Sequence, residues 1–283
     1  MPASLDNVNK TKFSLITLSF NYASTIVQII NSILLIPIYL VFFSLGDYGF
    51  WISASGLLLF FLMVDPGMVA ICAQKFSAAQ SAKDNQLLQK NFFSSLALSL
   101  VFWVIIISVG FSVIHLVIPR LLEIPESILA DLTLGLSIQV GAISISPMIG
   151  VFSAYIASLF KPVSANVIHV IAQIASPITI LLLLYGDFGL ASIPSGYFST
   201  VSIEFIGLLC LITFHWRAYN ERRFMPSMHT IFMGMSEIFK DVKYLYIKRF
   251  AGLLGENLDV TFAGMFISPQ LAASISILKK LFL

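Results

Sequence analysis

Long uncharged stretches separated by short polar gaps run the length of the chain. Six of them, at 14–43, 48–71, 92–118, 132–159, 165–184 and 193–214, are long enough to cross a bilayer as helices, since a span takes about 20 apolar residues. Two gaps are tight. Gly46-Asp47-Tyr48-Gly49 and Tyr185-Gly186-Asp187-Phe188-Gly189 carry the residues that reverse a chain within a few positions. After Phe214 the texture changes: Ile231, Met235, Ile238, Phe239, Val242 and Leu245 recur at helical spacing, with Ser236, Glu237, Lys240, Asp241 and Lys243 on the other face. That pattern predicts an amphipathic helix on the membrane surface, with a solvated loop as the plainer alternative. A seventh apolar stretch runs from Tyr246 to about Phe266, and Leu271–Leu283 begins an eighth of 13 residues, too short to cross alone.

The expected fold is therefore an all-α polytopic membrane protein of about 7–8 segments. It comprises a six-helix lobe (1–214), a basic and amphipathic linker (215–245) and the start of a second lobe (246–283), where the chain stops within an element. Composition agrees. Charged residues make up 11% and hydrophobic ones 58%, with a mean hydropathy of +0.93, against about 25% charged in soluble domains. Bilayer helices absorb so much apolar surface because each satisfies its own backbone. The opening Lys10 and Lys12 before an apolar run imitate a secretion leader. The uncharged stretch from 13 to 45 is too long for one and lacks a small-residue cleavage site, so it reads as a retained first span.

Charge then orients the bundle. Lys10, Lys12, Lys75, Lys83, Lys90, Lys161, Arg217, Arg222, Arg223, Lys240, Lys243, Lys248 and Arg249 all fall in alternate gaps, thirteen cations against the single Arg120 on the other side. The positive-inside rule puts the amino terminus in the cytoplasm. The net charge of +2 is accounted for by these loops and gives no reason to expect a nucleic-acid partner. Cys72 and Cys210 make no disulfide framework or metal spacing. Neither a nucleophile with its base nor a phosphate-binding Gly-rich loop is present, so no catalytic residue, cofactor or ATP-driven step is expected.

Within the spans, small residues mark close helix contacts: Gly49 and Ser53 in the second, and Gly135, Gly141, Ser146, Gly150, Ser153, Ala154 and Ala157 in the fourth. Pro147 and Pro177 place breaks in the fourth and fifth, where a freed carbonyl needs a neighbour or a cavity. Polar groups are few. Glu204, among Val201, Phe205, Leu208 and Leu209, is costly unless it faces protein or water. It reads either as a cavity carboxylate that binds a coupling cation or proton, or as a protonated structural carboxyl bonded to a neighbouring helix. Asp65, beside Pro66, suits a turn or cap. His169 reads as a packing histidine, and His115 lies near an interface.

Gly46–Ser53 and Pro269–Ser276 also match loosely in register: turn former, polar, large apolar, small, ending in the same Ile-Ser. The second begins just after a six-span unit and a basic linker, as in parallel transporter repeats. With Leu45-Gly46-Asp47-Tyr48-Gly49-Phe50-Trp51, Asp65-Pro66-Gly67 and Leu254-Gly255-Glu256-Asn257-Leu258-Asp259, the chain resembles the oligosaccharide flippases of bacterial polysaccharide and O-antigen biosynthesis. These belong to the superfamily that includes multidrug antiporters and the lipid II flippase. The resemblance implies two lobes facing a central cavity in the bacterial inner membrane. It also implies transport, not an enzymatic reaction, of undecaprenyl-pyrophosphate-linked oligosaccharide by alternating access, with membrane lipids and polysaccharide polymerase machinery as partners.

On that reading Asn31, Gln28 and Gln139 hydrogen-bond sugar hydroxyls or simply join helices. Asp259 points into the inter-lobe cavity. Lys279 and Lys280 meet the pyrophosphate or form a frayed end, while Lys248 and Arg249 meet it or anchor the cytoplasmic side. Three rivals stand beside the flippase: an ion-coupled multidrug antiporter of the same fold, a membrane polymerase or acyltransferase, and a half-transporter that is inert or needs a partner.

Overall fold

The computed structural model describes residues 3–61, 68–159, 162–218 and 226–282; side chains at 3–17, 243–258 and 280–282, and a few isolated ones, fall outside that description. Among the described residues ten α-helices form and no strand: α1 Ala3–Phe42, α2 Leu45–Phe61, α3 Met68–Ser81, α4 Asn85–Ser112, α5 Ile118–Leu121, α6 Glu126–Ser158, α7 Pro162–Tyr185, α8 Ser192–Ala218, α9 Met228–Phe266 and α10 Pro269–Phe282. Five stretches of the described residues are long and apolar enough to cross a membrane: Leu18–Phe42, Asn85–Leu121, Glu126–Ser158, Val163–Tyr185 and Gly189–Arg217. The protein is an all-α polytopic membrane protein. Large apolar side chains such as Leu34, Val104, Ile178 and Leu182 lie on its outside, where lipid rather than water would meet them.

Two predicted elements differ in detail. The second span, 48–71, falls on both α2 and α3, which flank residues 62–67, and α3 carries the helix on past Lys75 to Ser81. Linker helix and seventh span are one helix, α9, of 39 residues. Its start is fixed by Ser227, whose hydroxyl accepts from the Thr230 amide at 3.3 Å, a side-chain N-cap. The apolar stripe on its first half is covered by protein in part: Ile238 and Val242 are 1% exposed, while Phe239 is 52% exposed. Glu237 pairs with Lys90 on α4 at 3.3 Å and Asp241 with Lys75 on α3 at 2.9 Å. These carboxylates are about half exposed, so each pair contributes roughly 1 kcal/mol at most. Close packing does more. A methyl group added at Gly234 would run into Ser94 of α4, whose buried hydroxyl oxygen has no hydrogen-bond partner. Gly234→Ala is expected to cost about 1–3 kcal/mol by overpacking. Ser94→Ala is expected to be neutral or to stabilise by about 1 kcal/mol, because it removes an unsatisfied buried hydroxyl. Thermal unfolding of the purified protein checks both.

Beside this contact an aromatic cluster ties α3, α4, α6 and α8. Tyr155 is 1% exposed, sits 4.6 Å from Phe92 and 6.0 Å from Phe76 between ring centroids, and accepts a hydrogen bond from the Trp216 indole at 3.1 Å. Aromatic pairs at such separations add about 0.5–1.5 kcal/mol each beyond area burial.

The two hairpins that matched in sequence share a connection. α1 ends at Phe42, Phe43-Ser44 follow, and α2 starts at Leu45; α9 ends at Phe266, Ile267-Ser268 follow, and α10 starts at Pro269. Ser44 accepts from the Asp47 amide at 3.1 Å and Ser268 from the Leu271 amide at 3.2 Å, the same three-residue cap. The capping serines set the register one residue away from the sequence match, so the two Ile-Ser pairs are not equivalent. The hairpins also pack on each other: Gly49 on α2 lies against the Pro269 backbone, and Gly264 on α9 against Ser53.

Neither Pro147 nor Pro177 breaks its helix; α6 passes through the first and α7 through the second, as α1 does through Pro37. Pro177 lacks the N–H that would bond the carbonyl of Gln173, four residues earlier. Asn31 of α1 donates to that carbonyl instead, at 3.2 Å. The freed acceptor is satisfied by a neighbouring helix, so α7 stays whole.

Candidate functional site

Four helices each contribute one polar stripe at helical spacing to a common interior: Ser24, Gln28 and Asn31 from α1, Ser146 and Ser153 from α6, Asn166, His169, Gln173 and Ser176 from α7, and Tyr197, Thr200 and Glu204 from α8. Residues three, four or seven apart share a helix face. The depth of α8 against α7 is set by small residues, Gly196 admitting Ile180 and Gly207 admitting Ile168. Thr200 also donates to the Ala172 carbonyl at 3.2 Å. That registration brings Glu204 opposite His169.

The interior holds a cavity of about 510 Å³ lined by Gln28, Asn31, Ser146, His169, Tyr197 and Glu204 among others. A second, of about 240 Å³, lies against Ser153, Asn166, Ile168 and Leu208. Ile149, His169 and Glu204 line both, so the acidic pair stands at their common wall. Asn166 is on the wall of the smaller cavity, and its amide nitrogen is buried without a partner. On the opposite side, Ser146 and Tyr197 share a hydroxyl hydrogen bond at 2.9 Å.

Glu204 Oε1 bonds His169 Nδ1. The carboxylate is 12% exposed and the ring 44%, so the acid is the group that depends on its partner. His169 Nε2 meets the Gln173 amide nitrogen at 2.8 Å, and Gln173 Oε1 accepts from the Ser24 hydroxyl at 3.1 Å. One chain of hydrogen bonds thus joins α1, α7 and α8. Among the described residues the other titratable group on the larger cavity is Tyr197, and no Lys or Arg lines either cavity.

Of the residues singled out in sequence, Asn31 and Glu204 come together here, with Gln28 beside them. Gln139 lies two helical turns from Ser146 on α6, outside the lining of both cavities, and its buried amide oxygen has no partner. Asp259 and Lys279 bond each other at 2.6 Å across the α9–α10 hairpin and line neither cavity. Lys280, Lys248 and Arg249 have side chains outside the described residues, and Asp65 lies within 62–67. His115 stacks on Phe111 at 6.3 Å, away from the site. His169, read in sequence as packing, is instead a central member. Gln173, Ser24, Tyr197 and Thr200 are new to the site, and Ser146 stands out in sequence only as a small residue at a helix contact; the recoverable signal is phase within each helix, Gln173 with His169, Tyr197 and Thr200 with Glu204, and Ser24 with Gln28 and Asn31. Among the described residues, no group of three or more His, Cys, Asp or Glu gathers as for a metal ion. No protein-family model, curated protein or solved structure matches the chain.

Proposed function

We propose that the chain belongs to an alternating-access flippase that moves lipid-linked oligosaccharide across the bacterial inner membrane, with its amino terminus in the cytoplasm, its cavity on the glycan's path and Glu204 as the ion-coupling acid. The observation that carries this reading is a 510 Å³ cavity lined by amide, hydroxyl and carboxylate side chains in a bundle whose exterior is apolar. Its amides and hydroxyls match the donors and acceptors of a neutral glycan, which cannot cross hydrocarbon unaided. The polyprenyl tail would stay in lipid. Among the described residues the pyrophosphate finds no cation on the cavity wall, and Lys279 bonds Asp259; Lys248, Arg249 and Lys280 are proposed to meet it.

That lack of lining cations also favours a second reading, antiport of an organic cation, for which Glu204 and Tyr197 supply a carboxylate and an aromatic face. Proteoliposomes separate the two. Under an imposed pH gradient, a fluorescent polyprenyl-pyrophosphate oligosaccharide should become accessible to an external lectin at least tenfold faster than in protein-free vesicles. Movement of tetraphenylphosphonium without the glycolipid would establish the second reading in its place. Movement of neither would remove both.

A further inference from the structure

With the Gln173 amide oriented as in the structure, Oε1 towards Ser24 and the nitrogen towards His169, donor and acceptor rules fix the direction of each hydrogen bond in the interior chain. Gln173 Oε1 accepts from Ser24, which leaves the amide nitrogen to face His169 Nε2. An amide nitrogen only donates, so His169 Nε2 is the acceptor and carries no hydrogen. The ring's one proton sits on Nδ1 and is given to Glu204. In this state ring and carboxylate together carry one negative charge, which is expensive in a membrane-embedded site.

A proton arriving at the pair has one open nitrogen, His169 Nε2. Once Nε2 bears a hydrogen it faces two N–H donors of Gln173, and the contact is repulsive. The contact becomes bonding again when the Gln173 amide rotates by half a turn, presenting Oε1 to the ring and its nitrogen to Ser24, whose hydroxyl then accepts instead of donating. Glu204 and the doubly protonated ring become a neutral ion pair.

We propose that Gln173 is a positioning residue that senses the proton on His169 and reports it to α1 by reversing its bond to Ser24. The proposal rests on the coupling role assigned to the Glu204 site. Its second tie to α1 makes the report local: the Gln173 carbonyl, freed by Pro177, is held by Asn31 of the same helix. Backbone stays anchored while the side chain turns. Among the described residues, the groups facing the pair are the neutral Gln28 and Asn31 of α1 and Ser146 of α6, with Tyr197 the other titratable group. An alkali cation held by the carboxylate would neutralise the charge without touching Nε2, so the state of Nε2 distinguishes a proton from a metal ion as the ligand.

Nitrogen NMR of protein labelled with ¹⁵N-histidine, in nanodiscs, reads the ring directly. The His169 signals are assigned by replacing His115, His215 and His229 one at a time, none of which lines either cavity. At alkaline pH the expected form is the Nδ1–H tautomer, and on acidification Nε2 takes the second proton. In Gln173→Glu, a carboxylate replaces the donor, and the ring is expected to hold both protons at a pH where the wild type holds one, a shift of at least tenfold in proton concentration. An Nε2–H tautomer in alkaline wild type overturns the proposal without any variant. An unshifted Gln173→Glu titration overturns it as well. These outcomes do not depend on cargo: the expected tautomers with no transport of glycolipid or organic cation would sink the proposed function and leave the sensor standing.

Discussion

His169→Ala is expected to destabilise the protein by about 3 kcal/mol at neutral and alkaline pH. Removing the neutral ring takes from the Glu204 carboxylate, 12% exposed, its N–H donor, and for an ionised group the loss lies at the top of the roughly 1–3 kcal/mol cost of an unsatisfied buried group. Glu204→Gln alone keeps an oxygen to accept from Nδ1 and should cost about 1 kcal/mol. The double variant should then lie within about 1 kcal/mol of Glu204→Gln, because no charge remains to strand. Thermal unfolding of the four proteins in detergent gives the cycle. The deficit of His169→Ala should also narrow on acidification, since a neutral carboxyl no longer needs the ring. Equal, additive losses at all pH values would show that ring and acid do not act as a pair.

Glu204 was conspicuous in sequence because a carboxylate among Val201, Phe205 and Leu208 demands an explanation from any apolar span. Its partner was not. His169 could face any of several helices, and only the rotation and depth of α7 on α8 select Glu204; both are set by where Gly196 and Gly207 let isoleucines in. The same limit hid Gln173. Its side chain looks unremarkable until Pro177 is seen to free its carbonyl and Asn31 to take it. The proline rule foresaw a carbonyl needing a partner, but not that the partner would keep the helix unbroken.

Span positions were more legible, since length and apolarity are local properties. The extent of α9 was less so. A run with Glu237, Lys240, Asp241 and Lys243 looks like the end of membrane-embedded chain, yet charge marks only which face is free. Glu237 and Asp241 fit because Lys90 and Lys75 wait on α4 and α3, and the backbone helix continues regardless. Asp259 and Lys279 show the converse. Each looked like a cavity group on its own helix, and the two-residue Ile267-Ser268 connection brought them to each other.

Gly49→Ala is expected to be among the most damaging single-methyl changes in the chain. An added methyl there would overlap the carbonyl, carbon and Cα of Pro269, all backbone, which cannot turn aside as a side-chain tip can. Either α10 shifts off α2 or the strain is carried in both, a loss of about 3 kcal/mol at the upper end of ordinary overpacking. Gly141→Ala is the control. It is also a glycine within a helix, but its nearest neighbour would be a Phe198 ring carbon at 3.7 Å, ordinary contact. There the better helix propensity of alanine should leave stability unchanged or raise it by up to about 1 kcal/mol. Thermal unfolding separates the two, and proteolysis at Ile267-Ser268 shows whether the α9–α10 hairpin has come away. The contrast tests why small residues stand where they do: Gly49 and Gly264 admit a neighbouring helix's backbone or side chain, so α1–α2 and α9–α10 can sit together as a pair. If both substitutions behave alike, the paired hairpins are not held by this contact.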